Sequence, residues 1–128
     1  MATFPITSVF AAFFAVALVA LSFPISLRRL KVGDMIGESA DEVLRRRIRA
    51  QGNFTEYVPL GVILLALVEA QAAPSAVVLA IGIILVIGRI LHASGMLSSS
   101  GPIRGFGMIF TYLALVVPAG WLVATVIL

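Results

Sequence analysis

Four apolar segments constrain this chain most, because only three of them are long enough to cross a membrane unaided. The long segments are residues 4–27, 75–91 and 105–128, and the short one is residues 58–68. A helix needs about 20 residues to span the hydrocarbon core, with a range of about 17–25. Since 61% of the residues are hydrophobic and 12% are charged, against about 25% charged in a soluble domain, the composition is typical of an integral membrane protein.

The short segment completes a span only if the polar residues before it are included. Counting about 20 residues back from Gln71 places the start near Gln51, so that Asn53 and Glu56 lie inside the membrane. A short re-entrant segment is the alternative, but it would leave non-helical backbone in lipid. We predict one long helix that begins near Ser39, where the run Ser39–Glu42 fits a capping box with Ser39 as the N-cap.

The predicted fold class is therefore all-α, an integral membrane four-helix bundle. The length favours a single domain over residues 1–128. The four helices are predicted at about residues 4–28, 39–71, 74–96 and 104–128.

The cations predict the orientation in the membrane. All nine Lys and Arg residues lie in or beside the first and third connections, at positions 28, 29, 31, 45, 46, 47, 49, 89 and 104. By the positive-inside rule these two connections face the cytoplasm, and both termini face outward. The basic character is thereby explained without a nucleic-acid partner.

Three polar residues of the second helix share one face. Arg49, Asn53 and Glu56 stand at i, i+4 and i+7, whereas Gln51 points to a different face. The plain alternative is a charged helix end at the membrane surface, or an ion pair of Glu56 with Arg104 or Arg89. Because a carboxylate facing lipid is costly, we expect Asn53 and Glu56 to face the bundle interior or a polar crevice.

Further polar residues lie at the same predicted end of the bundle. Arg89 and His92 share a face near the end of the third helix, and Arg104 opens the fourth. Such a basic site with one carboxylate suits a small zwitterionic or polyanionic ligand. The chain has no cysteine and one histidine, which excludes a cysteine nucleophile and argues against a metal site.

The stretch RAQGNFTEYVPL, residues 49–60, resembles the signature of the MAPEG family, the membrane-associated proteins in eicosanoid and glutathione metabolism. Members typically show Arg-Ala-x-x-Asn-x-x-Glu-Tyr-x-Pro in the second helix. Six positions match it here: Arg49, Ala50, Asn53, Glu56, Tyr57 and Pro59. The compact form, with RRLKVGD after the first helix, is similar to the small bacterial members, which implies a bacterial inner membrane.

The resemblance implies a homotrimer that binds glutathione, as co-substrate, between neighbouring subunits. Matching positions for holding glutathione are Arg49, Asn53, Glu56 and Tyr57, with Gln51 and either Arg28 or Arg29 contributed by the adjacent subunit. Arg104 matches the arginine that stabilises the thiolate and is the expected catalytic residue. His92 and Met96 stand where leukotriene-forming members carry tyrosines; this argues against leukotriene synthesis and leaves His92 as a candidate glutathione contact.

The expected function is a membrane glutathione transferase or peroxidase that acts on lipophilic electrophiles or hydroperoxides, and no metal is expected. The alternative is a non-catalytic membrane protein of the same family that binds lipid or another ligand. A small multidrug-type transporter is a third class, but such transporters rely on an acidic residue in the first helix. None occurs between Met1 and Leu27.

Overall fold

The computed structural model describes residues 3–128, and four helices account for most of them. These are α1 (Pro5–Val32), α2 (Glu42–Ala70), α3 (Ser75–Leu97) and α4 (Gly101–Ile127). Each is long and apolar enough to cross a membrane. Even α3, with 23 residues, is about 35 Å long at the helical rise per residue. The predicted all-α membrane bundle is confirmed, and no strand occurs within residues 3–128.

The second apolar segment belongs to one continuous helix. α2 runs for 29 residues through Pro59, so the polar stretch before Val58 belongs to the same helix. Proline removes one backbone hydrogen bond from a helix, but α2 continues past Pro59 to Ala70. The long-helix prediction is confirmed over the re-entrant alternative.

The predicted N-cap of α2 is wrong. The cap is Asp41, whose side chain accepts a hydrogen bond of 2.8 Å from the Leu44 amide. The Ser39 hydroxyl instead donates to the Asp34 carboxylate and accepts from the Asp41 amide at 3.0 Å. Ser39 therefore orders the loop before the helix, and α2 begins three residues later than predicted.

Two other helix ends differ by three residues or more from the predicted bounds. α1 continues to Val32 and stops at Gly33, whose positive φ of 83° suits glycine. α4 begins at Gly101, because the Ser100 hydroxyl accepts from the Ile103 amide at 3.4 Å.

Glycines let α3 and α4 approach closely. A methyl group built on Gly88 would lie 2.8 Å from the Thr111 amide nitrogen, and one on Gly95 would lie 2.7 Å from the Arg104 Cα. On the facing helix, one on Gly107 would lie 2.6 Å from the His92 Cα. These contacts fix the positions of Thr111, Arg104 and His92 relative to one another.

The core consists of two apolar clusters along the bundle. The first contains Phe14, Phe54, Val58, Leu85 and Ala114. The second contains Leu65, Val68, Val78 and Ile81. The outer surface is also rich in exposed aliphatic and aromatic side chains, as expected for helices that face lipid.

A carboxylate from α2 caps the start of α1. Phe4, the residue before α1, has no side chain that can accept a hydrogen bond from the helix. The Glu69 carboxylate accepts instead from the amides of Ile6 and Thr7, at 2.9 and 2.8 Å.

Candidate functional site

The polar face of α2 is formed as predicted but lies toward the surface of a single chain. Arg49 and Glu56 are exposed, and Asn53 is half-buried. The face of α2 that packs into the bundle is apolar, with Ala50, Phe54, Val58 and Leu65 buried. Of the two predicted environments, Glu56 does not take the bundle interior, because larger apolar side chains occupy the core, and a polar crevice stays a prediction.

The side-chain oxygen of Asn53 has no internal partner. Oδ1 is buried and makes no hydrogen bond to any residue within 3–128. A buried polar atom that is left unpaired costs about 1–3 kcal/mol. This position therefore favours a hydrogen-bond donor from outside the chain.

Arg89 and His92 form a buried polar pair on α3. Their side chains are 4% and 2% exposed, and Arg89 Nη2 lies 3.1 Å from His92 Nδ1. Arg89 Nη1 donates to the Thr111 hydroxyl on α4 at 3.4 Å. The guanidinium carbon also lies 5.9 Å from the centre of the Phe54 ring, a cation–π distance.

Cations from three helices converge on His92. Arg89 contacts the ring, while Arg49 on α2 and Arg104 on α4 are close enough to act on it electrostatically. The two ion pairs found within residues 3–128 are Arg28–Asp41 and Arg46–Glu42. None of these three converging cations is paired with a carboxylate in the described part of the chain, and the Glu56 ion pair considered as an alternative is not formed there.

Arg104 lies in the first turn of α4, where it is exposed. It lines a cavity of about 240 Å³ together with Arg46 of α2. A cation gains nothing from the dipole at this helix end. Since Arg46 is paired with Glu42, Arg104 supplies the cation at this cavity that has no carboxylate partner within residues 3–128, and its position favours an anion.

Tyr57 continues the site beyond Asn53. Its ring packs edge-on against Tyr112 of α4, with the ring centres 5.8 Å apart. Glu56 and Tyr57 are both close enough to Arg89 to act on it electrostatically. Tyr57 and Glu56 thus lie near Arg89, while Arg49 and Arg104 lie near His92.

The family comparison agrees with this arrangement of residues. The chain matches the MAPEG family over residues 7–124. It belongs to the MAPEG family. No curated protein and no solved structure matches it significantly. MAPEG membership and four apolar spans make it a multi-pass integral membrane protein.

Three predicted site residues of this MAPEG chain do not join the region around Asn53. Arg28 forms a two-point ion pair with Asp41, and Arg29 donates to loop carbonyls of Asp34 and Gly37, both at 2.8 Å. Gln51 faces α1, where its Nε2 lies 3.4 Å from the Ser22 hydroxyl.

The role of Arg89 in the MAPEG chain was not found from the sequence. Arg89 was seen as a cation beside His92, but its burial under Phe54 and its bond to Thr111 depend on how α2, α3 and α4 pack. Gly88 and Gly95 are the sequence signal for this packing, since small residues mark close helix approach in membranes.

Proposed function

We propose that this chain is a membrane glutathione transferase, able also to reduce lipophilic hydroperoxides, and that it works as a homotrimer. One observation carries the proposal: Arg49, Arg89 and Arg104 lie around His92 on three helices without a paired carboxylate within residues 3–128, and the Asn53 oxygen, on the same face of α2 as Arg49, has no partner there. Glutathione supplies a carboxylate for Arg49, a thiolate for Arg104 and amide N–H groups for Asn53.

The exposed polar face of α2 supports assembly into an oligomer. Glu56 is exposed on a membrane-spanning helix, and a carboxylate in contact with lipid is costly. A neighbouring subunit would cover Glu56 and Arg49 and would bring Gln51 with Arg28 or Arg29 to the same crevice. Glutathione is then held between subunits.

Thiolate stabilisation by Arg104 is the proposed catalytic step. A free thiol has a pKa near 8.5 and is mostly protonated at neutral pH, and an adjacent cation lowers that pKa. In the transferase reaction the thiolate sulfur forms a bond to an electrophilic carbon, and the displaced group leaves with the bonding pair. We expect a lipophilic substrate, since the helices that carry these residues are apolar enough to cross a membrane.

The proposed location is a bacterial inner membrane with the first and third connections in the cytoplasm. The cations that form the site lie at that end of the helices, so glutathione enters from the cytoplasm. The electrophile arrives from the lipid.

Calorimetric titration of the detergent-purified chain with glutathione, followed by a transferase assay, tests the proposal. Asn53→Ala should weaken glutathione binding by about tenfold, as loss of one hydrogen bond predicts. Thr55→Ala is the matched control, because Thr55 is exposed and bonds only to its own helix at Gly52. If glutathione binds neither the wild type nor the variants, the proposal is wrong; binding without turnover favours the non-catalytic alternative.

A further inference from the structure

Hydrogen-bond chemistry fixes the proton position on His92. A guanidinium group carries five N–H donors and no acceptor. Since Arg89 Nη2 lies 3.1 Å from His92 Nδ1, that nitrogen accepts and holds no proton. The proton of the neutral ring is then on Nε2. In an imidazolium Nδ1 would also carry a proton, so that two N–H donors would face each other.

We propose that Arg89 is a positioning residue that holds His92 as the neutral Nε2–H tautomer, so that His92 serves the site as a hydrogen-bond donor and not as a general base. The acceptor it serves is a carboxylate or thiolate of the bound ligand; this half of the inference rests on the proposed glutathione site. The assignment of the tautomer does not rest on the proposed glutathione site.

A chain of contacts across three helices holds Arg89 in place. The Thr111 hydroxyl donates to the Gly107 carbonyl at 2.8 Å, which leaves its lone pairs free to accept from Arg89 Nη1. The Phe54 ring lies beneath the guanidinium. The arginine is therefore fixed by α2 and α4 before any ligand arrives.

The surrounding charges favour the same neutral ring. Arg49 and Arg104 add positive potential at His92 from α2 and α4, and Glu56 and Tyr57 act on Arg89 rather than pairing with the histidine. From α1, the groups beside Arg89 are apolar and line a cavity of about 200 Å³: Phe13, Phe14, Ala17, Ala20 and Leu21. A protonated His92 would be a further cation among these arginines.

The tautomer can be measured directly, because the chain contains a single histidine. The untagged full-length chain, labelled with ¹⁵N-histidine in detergent, gives one imidazole in long-range ¹H–¹⁵N spectra. The expected result is one tautomer with Nε2 protonated and Nδ1 bare, in the absence of glutathione. A protonated Nδ1, or rapid averaging of both tautomers, would overturn the proposal without bearing on glutathione binding.

Variants test the role of Arg89 in setting the tautomer. Arg89→Met should give a mixture of tautomers, while Thr111→Val, which removes only a hydroxyl, should shift the spectrum in the same direction but less. If Arg89→Met keeps a single Nε2–H tautomer, Arg89 does not position the ring. The wild-type spectrum decides the matter if the variant fails to fold.

Two substitutions of His92 distinguish a hydrogen-bond donor from a general base at this position. In His92→Gln the amide nitrogen can take the place of Nε2–H, whereas His92→Phe offers no donor. We expect His92→Gln to keep glutathione binding within about threefold and to retain turnover, and His92→Phe to bind about tenfold more weakly. Equal loss of turnover in both variants, or unchanged binding in His92→Phe, contradicts the donor role.

Discussion

Arg28 and Asp41 form a two-point ion pair that joins the end of α1 to the start of α2. Arg28 Nε donates to Asp41 Oδ1 at 3.0 Å, and Nη2 donates to Oδ2 at 2.8 Å. Asp41 also caps α2 through the Leu44 amide. One carboxylate thus sets both the helix start and the position of α2 against α1.

We expect Asp41→Asn to lower the thermal stability of the purified chain by a few degrees at neutral pH. The hydrogen bonds from Arg28 and, next, from Leu44 lower the pKa of Asp41 to about 2. Its contribution is therefore complete above the unfolded pKa of about 3.9 and is lost as the pH falls through about 2. The stability difference between wild type and variant should shrink over that range, measured as Tm against pH.

Glu38→Gln serves as the control for this measurement. Glu38 lies exposed in the same loop and makes no hydrogen bond within residues 3–128. A pH dependence of the same size in Glu38→Gln would show that the loop carboxylates act together and that Asp41 has no special role.

The Glu69 cap predicts a second stability effect, at the opposite end of α1. Glu69→Ala would leave the amides of Ile6 and Thr7 without their acceptor, at a cost of about 1 kcal/mol. Denaturation of the purified chain in mixed micelles measures this loss. Gln71→Ala is the matched control, since its exposed side chain lies at the same helix end; equal effects of the two variants would contradict the capping role.

Much of the fold could be predicted from the sequence because the bilayer sets the length of a helix. The length deficit of residues 58–68 required the polar stretch to lie in the span, and α2 indeed runs through it. Helical spacing also placed Arg49, Asn53 and Glu56 on one face without knowledge of any neighbour.

Features that depend on how helices pack could not be predicted in this way. Ser39 and Asp41 are both good N-cap residues, and the choice of Asp41 coincides with its ion pair with Arg28, thirteen residues away. The burial of Arg89 likewise depends on the rotation of α3 against Phe54 and Thr111. Local sequence does not encode either contact.

Gly107 should tolerate no side chain, because the backbone of α3 fills the space beside it. In Gly107→Ala the new methyl group would lie 2.8 Å from the Gly88 carbonyl oxygen and against the His92 backbone. We expect a loss of about 1–3 kcal/mol, as for other overpacked sites, and weaker glutathione binding through displaced His92. Gly105→Ala has open space around the new methyl group and should be neutral or stabilising; destabilisation by both variants would contradict this reasoning.

The absence of cysteine allows the proposed orientation to be tested cleanly. Ser99 in the third connection and Ala72 in the second are both exposed. The variants Ser99→Cys and Ala72→Cys therefore each introduce a single exposed cysteine. In intact spheroplasts a membrane-impermeant thiol reagent should label the cysteine at 72 and leave the one at 99 unlabelled until the membrane is opened. The reverse pattern would invert the proposed topology.

Arg104→Gln should separate thiolate formation from glutathione binding. Arg104 is exposed at the cavity that it shares with Arg46, so removal of its charge leaves the helix packing intact. We expect the pKa of the bound thiol to rise by about one unit or more, and turnover at neutral pH to fall by about tenfold or more. Calorimetry should show glutathione affinity within about threefold of the wild type, and activity should recover as the pH rises past the pKa of free thiols, about 8.5.

Arg45→Gln is the control for Arg104→Gln, because Arg45 is an exposed arginine of α2 with no ion pair within residues 3–128. Equal turnover in Arg104→Gln and wild type across the pH range would show that Arg104 does not stabilise the thiolate.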